Sequence, residues 1–463
     1  MPFAVAAACV VVLAVPASGQ AMAPTCLMPT GQTASVPPAP LRFGIYPGGS
    51  AGSFSSKSPP RPEDPAKRLA SVKALAGDHP FVVRLYSAWT GVPRADHVSG
   101  WLDREIAGYT AAGLNVELVV RYKPAATVSR AAAPSAFAVH VRAIVHRYGH
   151  DPRFVSLQVT NEANIAGAPA AADGAFAGAV RAVVKGVVSA KDAARRGHHD
   201  QLSIGFSWGY DERRQASDRF WAKLRRLGGR AFPAAVDWVG LDTYPGTWAP
   251  QLAPSDLFAQ DAAAAVKESV RALRDCYMPV ARLGNATAIH IAENGFPTGA
   301  GRSEALQSQT LVAMVRSVDA IRTTFGVTDY RWFDLRDSDT SDPSIESRYG
   351  ITHDDYSPKP AYSAYRNVIT EATTEPNQGV VVTAARCRPS RVKAAVPALD
   401  GRRLASLILR VGTEVVGRMR RGPLPRAVRI SMRPGRSVVR LKSSTKVRGR
   451  NVTRVSRRTY RVC

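Results

Sequence analysis

The sequence predicts an α/β fold in which eight parallel strands close into a (β/α)8 barrel, followed by a small β-rich domain. Apolar, strand-like segments alternate with helical segments from residue 41 to residue 370. Eight such segments recur at near-regular intervals, as the βα units of a barrel would. An open, doubly wound sheet would normally carry a Gly-rich phosphate-binding turn after its first strand, and residues 44–49 fit that pattern poorly.

Each repeating unit begins with a strand and continues into a helix. Asp64 and Pro65 are typical of a helix start, and Gly77 of its end. The last helix is expected to begin near Pro360 and to end at about Thr370. The predicted strands lie at 42–47, 81–86, 115–121, 154–160, 202–207, 236–242, 288–293 and 328–334.

The segments outside the barrel differ from it in composition. An apolar run from Phe3 to Pro16, followed by small residues, is typical of a signal peptide and too short to span a membrane. A buried strand is the alternative interpretation of this run. We therefore expect an exported protein whose mature chain has no transmembrane span. The predicted organisation is a signal peptide at 1–21, a linker at 22–40, the barrel at 41–370, a linker at 371–385 and a basic β-rich domain at 386–463.

The positive charge is concentrated in the C-terminal part of the chain. The formal net charge is +26, and residues 381–463, the basic tail, contain 23 Lys and Arg but only two acidic residues. Such a surface can bind nucleic acid, bind an anionic cell-surface polymer or acidic polysaccharide, or simply be solvated. Predicted export favours the cell-surface polymer, so no obligate nucleic-acid partner is expected. The single aromatic residue of the tail, Tyr460, argues against a stacking-type binding module.

Four cysteines remain once the predicted signal peptide is removed: Cys26, Cys276, Cys387 and Cys463. They allow three pairings. Because Cys387 and Cys463 bracket the basic tail, we favour a bridge between them, which leaves Cys26 to pair with Cys276. Free thiols are the alternative, although exported proteins rarely keep them. No Cys/His spacing suggests a zinc site.

Two glutamates stand at the ends of apolar strands. Glu162 follows the strand at 154–160 and is preceded by Asn161, and Glu293 ends the strand at 288–293. A carboxylate at such a position is costly to bury unless it has a partner or a function, although it could also cap the following loop. The C-terminal ends of barrel strands converge on one face, where two carboxylates can act as acid and nucleophile on a glycosidic bond.

This arrangement resembles the large clan of retaining (β/α)8 glycoside hydrolases, and families 5 and 39 within it most of all. Those enzymes carry Asn-Glu at the end of strand 4 and Glu at the end of strand 7. The resemblance covers about residues 41–370 and implies that Glu162 is the acid/base and Glu293 the nucleophile. It implies double displacement on a β-linked poly- or oligosaccharide, without a cofactor. Ala163 and Asn164 depart mildly from the family pattern, which more often has Pro or a small residue next.

The same resemblance implies supporting roles for three polar residues. Arg84 is a cation within an apolar strand, and the families place an Arg near the nucleophile at this point; a structural ion pair elsewhere in the barrel is the alternative. Tyr244 matches the tyrosine that donates to the nucleophile, although it could be a core residue. Asn161 would bind the 2-hydroxyl of the sugar.

Aromatic residues that follow the strands are candidates for sugar contacts. The segment from Trp332 to Asp337 resembles the end of family 39-like barrels, which implies that Trp332 forms the floor under the sugar. Trp208 and Trp248 could also stack on sugars, but each is equally compatible with ordinary packing. Strand parity predicts that His290 faces the helices and is structural. A barrel that binds glycan without cleaving it, anchored by the basic tail, is the alternative function.

Overall fold

The computed structural model describes residues 34–37, 39–49, 61–92 and 100–374, together with six strand segments between residues 391 and 462. The chain divides into two compact units, Met1–Asn377 and Gln378–Cys463. The predicted signal peptide lies outside the described residues, as do three of the four cysteines that are predicted to pair, Cys26, Cys387 and Cys463. Export and the disulfide pairing therefore stay predictions.

The first unit is built on a closed barrel of eight parallel strands in sequential order, which confirms the predicted barrel. The barrel closes between its first and last strands, where Ile45 lies opposite Trp332. The strands are β1 (Arg42–Ile45), β2 (Phe81–Trp89), β3 (Asn115–Tyr122), β4 (Phe154–Val159), β5 (Ser203–Gly209), β6 (Trp238–Thr243), β7 (Ala288–Asn294) and β8 (Val327–Trp332).

Helices surround the barrel and bury their apolar faces against it. The Asp64 carboxylate caps the first one by accepting from the backbone N–H of Ala66 at 2.9 Å, as the sequence predicts. The last one extends to Thr374 rather than to about Thr370. No helix among the described residues is long and apolar enough to cross a membrane. The helices are α1 (Pro65–Ala76), α2 (Gly100–Ala111), α3 (Ala133–Tyr148), α4 (Ala179–Arg196), α5 (Arg214–Gly228), α6 (Ala231–Ala235), α7 (Phe258–Ala272), α8 (Glu304–Asp319), α9 (Arg322–Phe325) and α10 (Pro360–Thr374).

Part of the predicted N-terminal linker is bound to the barrel unit. The backbone N–H of Ala34 donates to the carbonyl of Thr324 at 3.2 Å, and that of Ser35 donates to the carbonyl of Asn285 at 3.1 Å. The compact unit therefore begins before residue 41.

The interior of the barrel contains a connected set of titratable side chains, which we call the charge column: Arg42, Arg84, Glu117, His290, Asp329 and Arg331. Glu117 lies at its centre, 2.5 Å from Arg84 and 3.3 Å from Arg331. Arg331 and Arg42 both bind Asp329, at 2.6 and 2.7 Å. Because buried charges are costly unless paired, this network requires all its members at once.

The carboxylates of the charge column stay ionised despite their burial. Burial alone would raise the pKa of Glu117, but Arg331, His290 and Arg84 together hold it well below its ordinary value. Burial of Asp329 is likewise outweighed by His290, Arg42 and Arg331, so its pKa is also lowered.

His290 faces the barrel interior, so the predicted orientation toward the helices is wrong. Its Nε2 lies 3.1 Å from Asp329 Oδ2, and its ring stacks on Trp238 with centroids 4.1 Å apart. The register of β7 against β8 shifts on both sides of the segment from His290 to Ile291, which breaks the strict alternation of faces. As a result both His290 and Glu293 point inward.

The second unit contains antiparallel strands in its described segments. They are β9 (Arg391–Ala395), β10 (Leu404–Val411), β11 (Glu414–Gly422), β12 (Ala427–Ser431), β13 (Gly435–Val447) and β14 (Arg450–Val462). One sheet has the order β11-β10-β13-β14, and β12 pairs with β9.

Candidate active site

Glu293, at the C-terminal end of β7, is held by three donors and is only 7% exposed. Tyr86 Oη donates to Oε1 at 2.6 Å, and Arg84 Nη2 lies 3.3 Å from the same oxygen. Tyr244 Oη donates to Oε2 at 2.8 Å. Both oxygens therefore receive hydrogen bonds, which fix the orientation of the carboxylate.

Arg84 joins Glu293 to the charge column. Its Nη1 binds Glu117, its Nη2 donates to Gln158 Oε1 at 2.9 Å, and its Nε donates to Tyr86 Oη at 2.7 Å. Arg84 thus forms a buried ion pair with Glu117 and also contacts Glu293, so it has both of the roles that the sequence leaves open.

The turn after β4 presents Glu162 from an unusual backbone conformation. Glu162 has a φ of 45° and Thr160 a φ of 67°, both in the left-handed region that non-glycine residues seldom adopt. The buried Asp173 carboxylate accepts from the N–H of Asn161 at 2.8 Å, and the N–H of Glu162 donates to Ser207 Oγ at 3.0 Å. These contacts stabilise the strained turn that aims the Glu162 side chain.

The surroundings of Glu162 favour its protonated form. Burial, and then the negative charge of Glu293, raise the pKa of Glu162 from 4.5 to about 8. Gly209, at the end of β5, leaves room for the carboxyl, because a Cβ there would lie 2.7 Å from Glu162 Oε1. The two glutamates thus differ in environment: one is surrounded by donors and the other keeps a proton near neutral pH.

Asp242 is a third carboxyl beside these two. It lies opposite Glu293 in the register of β6 and β7 and is almost fully buried. Neither of its oxygens has a hydrogen-bond partner in the described part of the chain. Burial, then the charges of Glu293 and Glu162, raise the pKa of Asp242 well above its ordinary value, and the charge of Arg84 and the Ser207 hydroxyl offset this only in part. The environment of Asp242 therefore favours its protonated form.

Asn161 lies next to Glu162 with its side-chain amide held in place. Its Nδ2 donates to the carbonyl of Ala171 at 3.1 Å, and its Oδ1 accepts from Gln158 Nε2 at 3.1 Å. Since a primary amide has two N–H groups, one of them remains for a ligand.

The structure contradicts the sugar contacts expected of Trp332 and Trp208. Trp332 is fully buried, and its ring lies 6.4 Å from Tyr365 on α10, so it faces the helices. Trp208 is also fully buried, with Trp221 and Tyr277 against it at 6.2 and 4.9 Å. Both side chains pack between the barrel and the helices and are unable to reach a ligand on the catalytic face.

Phe333, one residue after Trp332, occupies the position expected of the aromatic floor. It is partly exposed and stacks on Tyr46 with centroids 5.3 Å apart and ring planes 9° apart. Its edge contacts include Tyr244, at 6.1 Å, and Tyr349, at 5.8 Å. Because Tyr244 also binds Glu293, this aromatic surface adjoins the carboxylate.

The structure brings together five of the seven predicted site residues at the C-terminal ends of the strands: Asn161, Glu162, Glu293, Arg84 and Tyr244. Sequence reasoning missed Tyr86, Asp242 and Phe333. Tyr86 could have been found, because it lies two residues after Arg84 and therefore on the same face of β2.

Neither a protein-family model nor a curated protein matches the sequence. Solved structures do resemble it. A GH5_18 structure from Bifidobacterium longum subsp. longum is 14% identical, with a TM-score of 0.50, and the match covers 73% of this chain and 80% of that one. A GH5_18 variant from Streptomyces cattleya in complex with Manβ1-4GlcNAc is 19% identical, with a TM-score of 0.50 and coverage of 72% and 81%.

A family 39 glycoside hydrolase from Bacteroides cellulosilyticus is 14% identical, with a TM-score of 0.46 and coverage of 88% of this chain and 73% of that one. The two GH5_18 structures establish that this chain shares the fold of (β/α)8 glycoside hydrolases, as the sequence predicts. Within that fold, the site is a pair of carboxyls in unlike environments beside the partly exposed ring of Phe333.

Proposed function

We propose that this protein is an exported retaining glycoside hydrolase that cleaves a β-linked poly- or oligosaccharide. The observation that carries the proposal is the contrast between Glu293, which receives hydrogen bonds on both oxygens, and Glu162, whose pKa is raised to about 8. Retaining hydrolysis needs this pair, because one carboxyl must attack as an anion while the other delivers a proton.

In the first step Glu293 attacks the anomeric carbon of the sugar. The bond from this carbon to the leaving oxygen breaks, and that oxygen takes the proton from Glu162. The product is a glycosyl ester of Glu293 and an ionised Glu162. Tyr86 and Tyr244 hold the attacking carboxylate in one orientation, which lowers the entropic cost of reaching the reactive geometry.

In the second step the ionised Glu162 removes a proton from water. The resulting oxygen bonds to the anomeric carbon from the face that the leaving group occupied, and the ester to Glu293 breaks. The sugar leaves with its original anomeric configuration, and both glutamates return to their starting protonation states. Neither step requires a cofactor.

Two residues complete the proposed sugar site. The free N–H of Asn161 binds the 2-hydroxyl, a contact that strengthens in the transition state. Phe333 supplies the apolar floor, because the C–H face of a pyranose packs well on an aromatic ring. In this proposal Phe333 takes the role of floor that the sequence resemblance implies for its neighbour Trp332.

The basic tail is proposed to form a β-rich domain that holds the exported enzyme on an anionic polymer. Its 23 cations against two acids support attraction to such a surface. Binding of the full chain to alginate-coated beads should weaken steeply between about 50 and 200 mM salt if this attraction dominates. Salt-independent binding would contradict it.

Sugar release from a panel of β-glycans tests the hydrolase. The panel should include Manβ1-4GlcNAc, since one fold relative was solved in complex with it. We expect the released sugar to keep its anomeric configuration, which ¹H NMR of the anomeric proton measures. The rate of release should fall at least about 10³-fold in Glu293→Ala.

Glu268→Gln is the matched control, because Glu268 forms a partly exposed ion pair with Arg271 on α7. Its activity should equal that of the parent. Product of inverted configuration, or activity that survives Glu293→Ala, would contradict the mechanism. Binding of a glycan without release by the parent protein would favour the non-catalytic glycan-binding barrel instead.

A further inference from the structure

Trp248 lies in the loop between β6 and α7 and is 55% exposed. Large aromatic side chains are usually buried, so an exposed indole indicates a candidate contact surface for a ligand or partner. One other tryptophan in the described residues is exposed, Trp101 at the start of α2, which is 47% exposed. Trp248 differs from it because its surroundings connect it to the catalytic carboxyls.

The indole of Trp248 is fixed in position. Its Nε1 donates to Tyr349 Oη at 2.9 Å. Its backbone N–H donates to the carbonyl of Tyr244 at 3.0 Å, and the N–H of Tyr244 donates to the carbonyl of Ala249 at 3.0 Å. An exposed ring with a satisfied N–H and a closed loop loses little conformational entropy when a ligand stacks on it.

Arg302 holds the same loop from a second side. Its Nη1 donates to Thr247 Oγ1 at 2.8 Å, and its Nη2 donates to the carbonyl of Gly246 at 2.7 Å. The loop is therefore anchored on both sides of the residue that carries the exposed ring.

A short chain of contacts joins this ring to the nucleophile. Tyr349 lies 5.7 Å from the ring of Tyr244 and 5.8 Å from Phe333. Tyr244 in turn donates to Glu293. The buried Tyr349 thus joins the exposed ring of Trp248 to the partly exposed ring of Phe333 and to Tyr244.

We propose that Trp248 is the platform of a second sugar subsite, which takes a neighbouring pyranose ring of the same glycan. The inference rests on the proposed function. The exposed indole face offers an apolar surface, and neutral pyranoses present C–H faces of matching size. The substrate is therefore an oligosaccharide or polysaccharide, whose second ring contributes to affinity, rather than a monosaccharide conjugate.

Binding of glycan ladders to the Glu293→Gln protein tests the subsite without turnover. The probes are mannose, glucose and N-acetylglucosamine, each with its β-1,4-linked oligomers of two to four residues, titrated by calorimetry. Adding Trp248→Ala should weaken binding of the best tetrasaccharide roughly tenfold or more and leave binding of its monosaccharide within about twofold. Tyr349→Phe, which frees the indole N–H, should have a smaller effect in the same direction.

Trp101→Ala is the control for loss of an exposed tryptophan and should bind every probe like the parent. Equal tetrasaccharide affinity with and without Trp248 would overturn the subsite, as would an equal loss for the monosaccharide. Failure of the proposed function looks different, because the wild-type protein would then release no sugar from the panel. Absence of any binding by the Glu293→Gln protein would overturn the subsite as well.

Discussion

The protonation of Glu162 should set the alkaline limit of activity. With a pKa of about 8, the side chain is roughly 90% protonated at pH 7, whereas a glutamate at its ordinary value of 4.5 would be only about 0.3% protonated. The displacement corresponds to ~5 kcal/mol in favour of the protonated form. Burial and the charge of Glu293 supply it.

The expected pH profile follows from this value. The kcat/KM for a sugar leaving group should be constant from about pH 6 to 7, fall to half near pH 8 and then decrease roughly tenfold for each further pH unit. Glu162→Gln should lower it by about 10²–10⁴-fold at pH 7 and remove the alkaline decline, because the amide has no proton to deliver.

The leaving group provides an internal check on this role. A 2,4-dinitrophenyl β-glycoside departs as a stable anion and needs no proton, so Glu162→Gln should form the glycosyl-enzyme from it at nearly the parent rate. Stopped-flow release of dinitrophenolate measures this step. An alkaline decline that persists in Glu162→Gln, or an equal loss with both leaving groups, would refute the assignment; Glu268→Gln should leave the profile unchanged.

Three further substitutions test the groups around the carboxyls. Tyr86→Phe removes the 2.6 Å donor to Glu293 and should lower kcat about 10- to 100-fold with KM nearly constant; steady-state kinetics with an unchanged kcat would contradict this. Glu117→Gln removes the anion that lies between Arg84 and Arg331 and should lower the free energy of unfolding by about 3–5 kcal/mol, measured in urea; a change under 1 kcal/mol would contradict it. Asp242 has a folded-state pKa raised above its unfolded value, so its contribution to stability is present below about pH 4 and is lost as the pH rises through the folded-state pKa. Asp242→Asn should therefore gain in melting temperature relative to wild type as the pH rises above about 4, and a difference that does not change with pH would contradict this.

The fold could be predicted from the sequence because its signals are local. Each barrel strand is a short apolar segment with a helix after it, and the Asp64 cap marks the first helix as expected. The sequence also predicts Glu162 and Glu293 as site residues, since a carboxylate at the end of a buried strand is conspicuous. Arg84 stood out for the same reason, as a charge within an apolar strand.

The side of a strand on which a residue points was harder to predict. Simple alternation fails where the register shifts, as it does in β7, and this turned both His290 and Glu293 inward. The resemblance implies Trp332 as the sugar floor, whereas the partly exposed ring is that of Phe333, because a shift of one residue changes the face. Asp173, which supports the turn at Asn161, lies twelve residues further along the same connection between β4 and α4, and no local pattern indicates this contact.

The charge column has a consequence for how the barrel can fold. Strands β1 to β4 contribute Arg42, Arg84 and Glu117, whereas Asp329 and Arg331 come from β8. A fragment containing only the first four strands would bury two cations with one anion, and the complementary fragment would lose the contact of Arg42 with Asp329 and that of Glu117 with Arg331. Neither half is self-sufficient, so we expect this barrel to unfold in one cooperative transition rather than as two independent half-barrels.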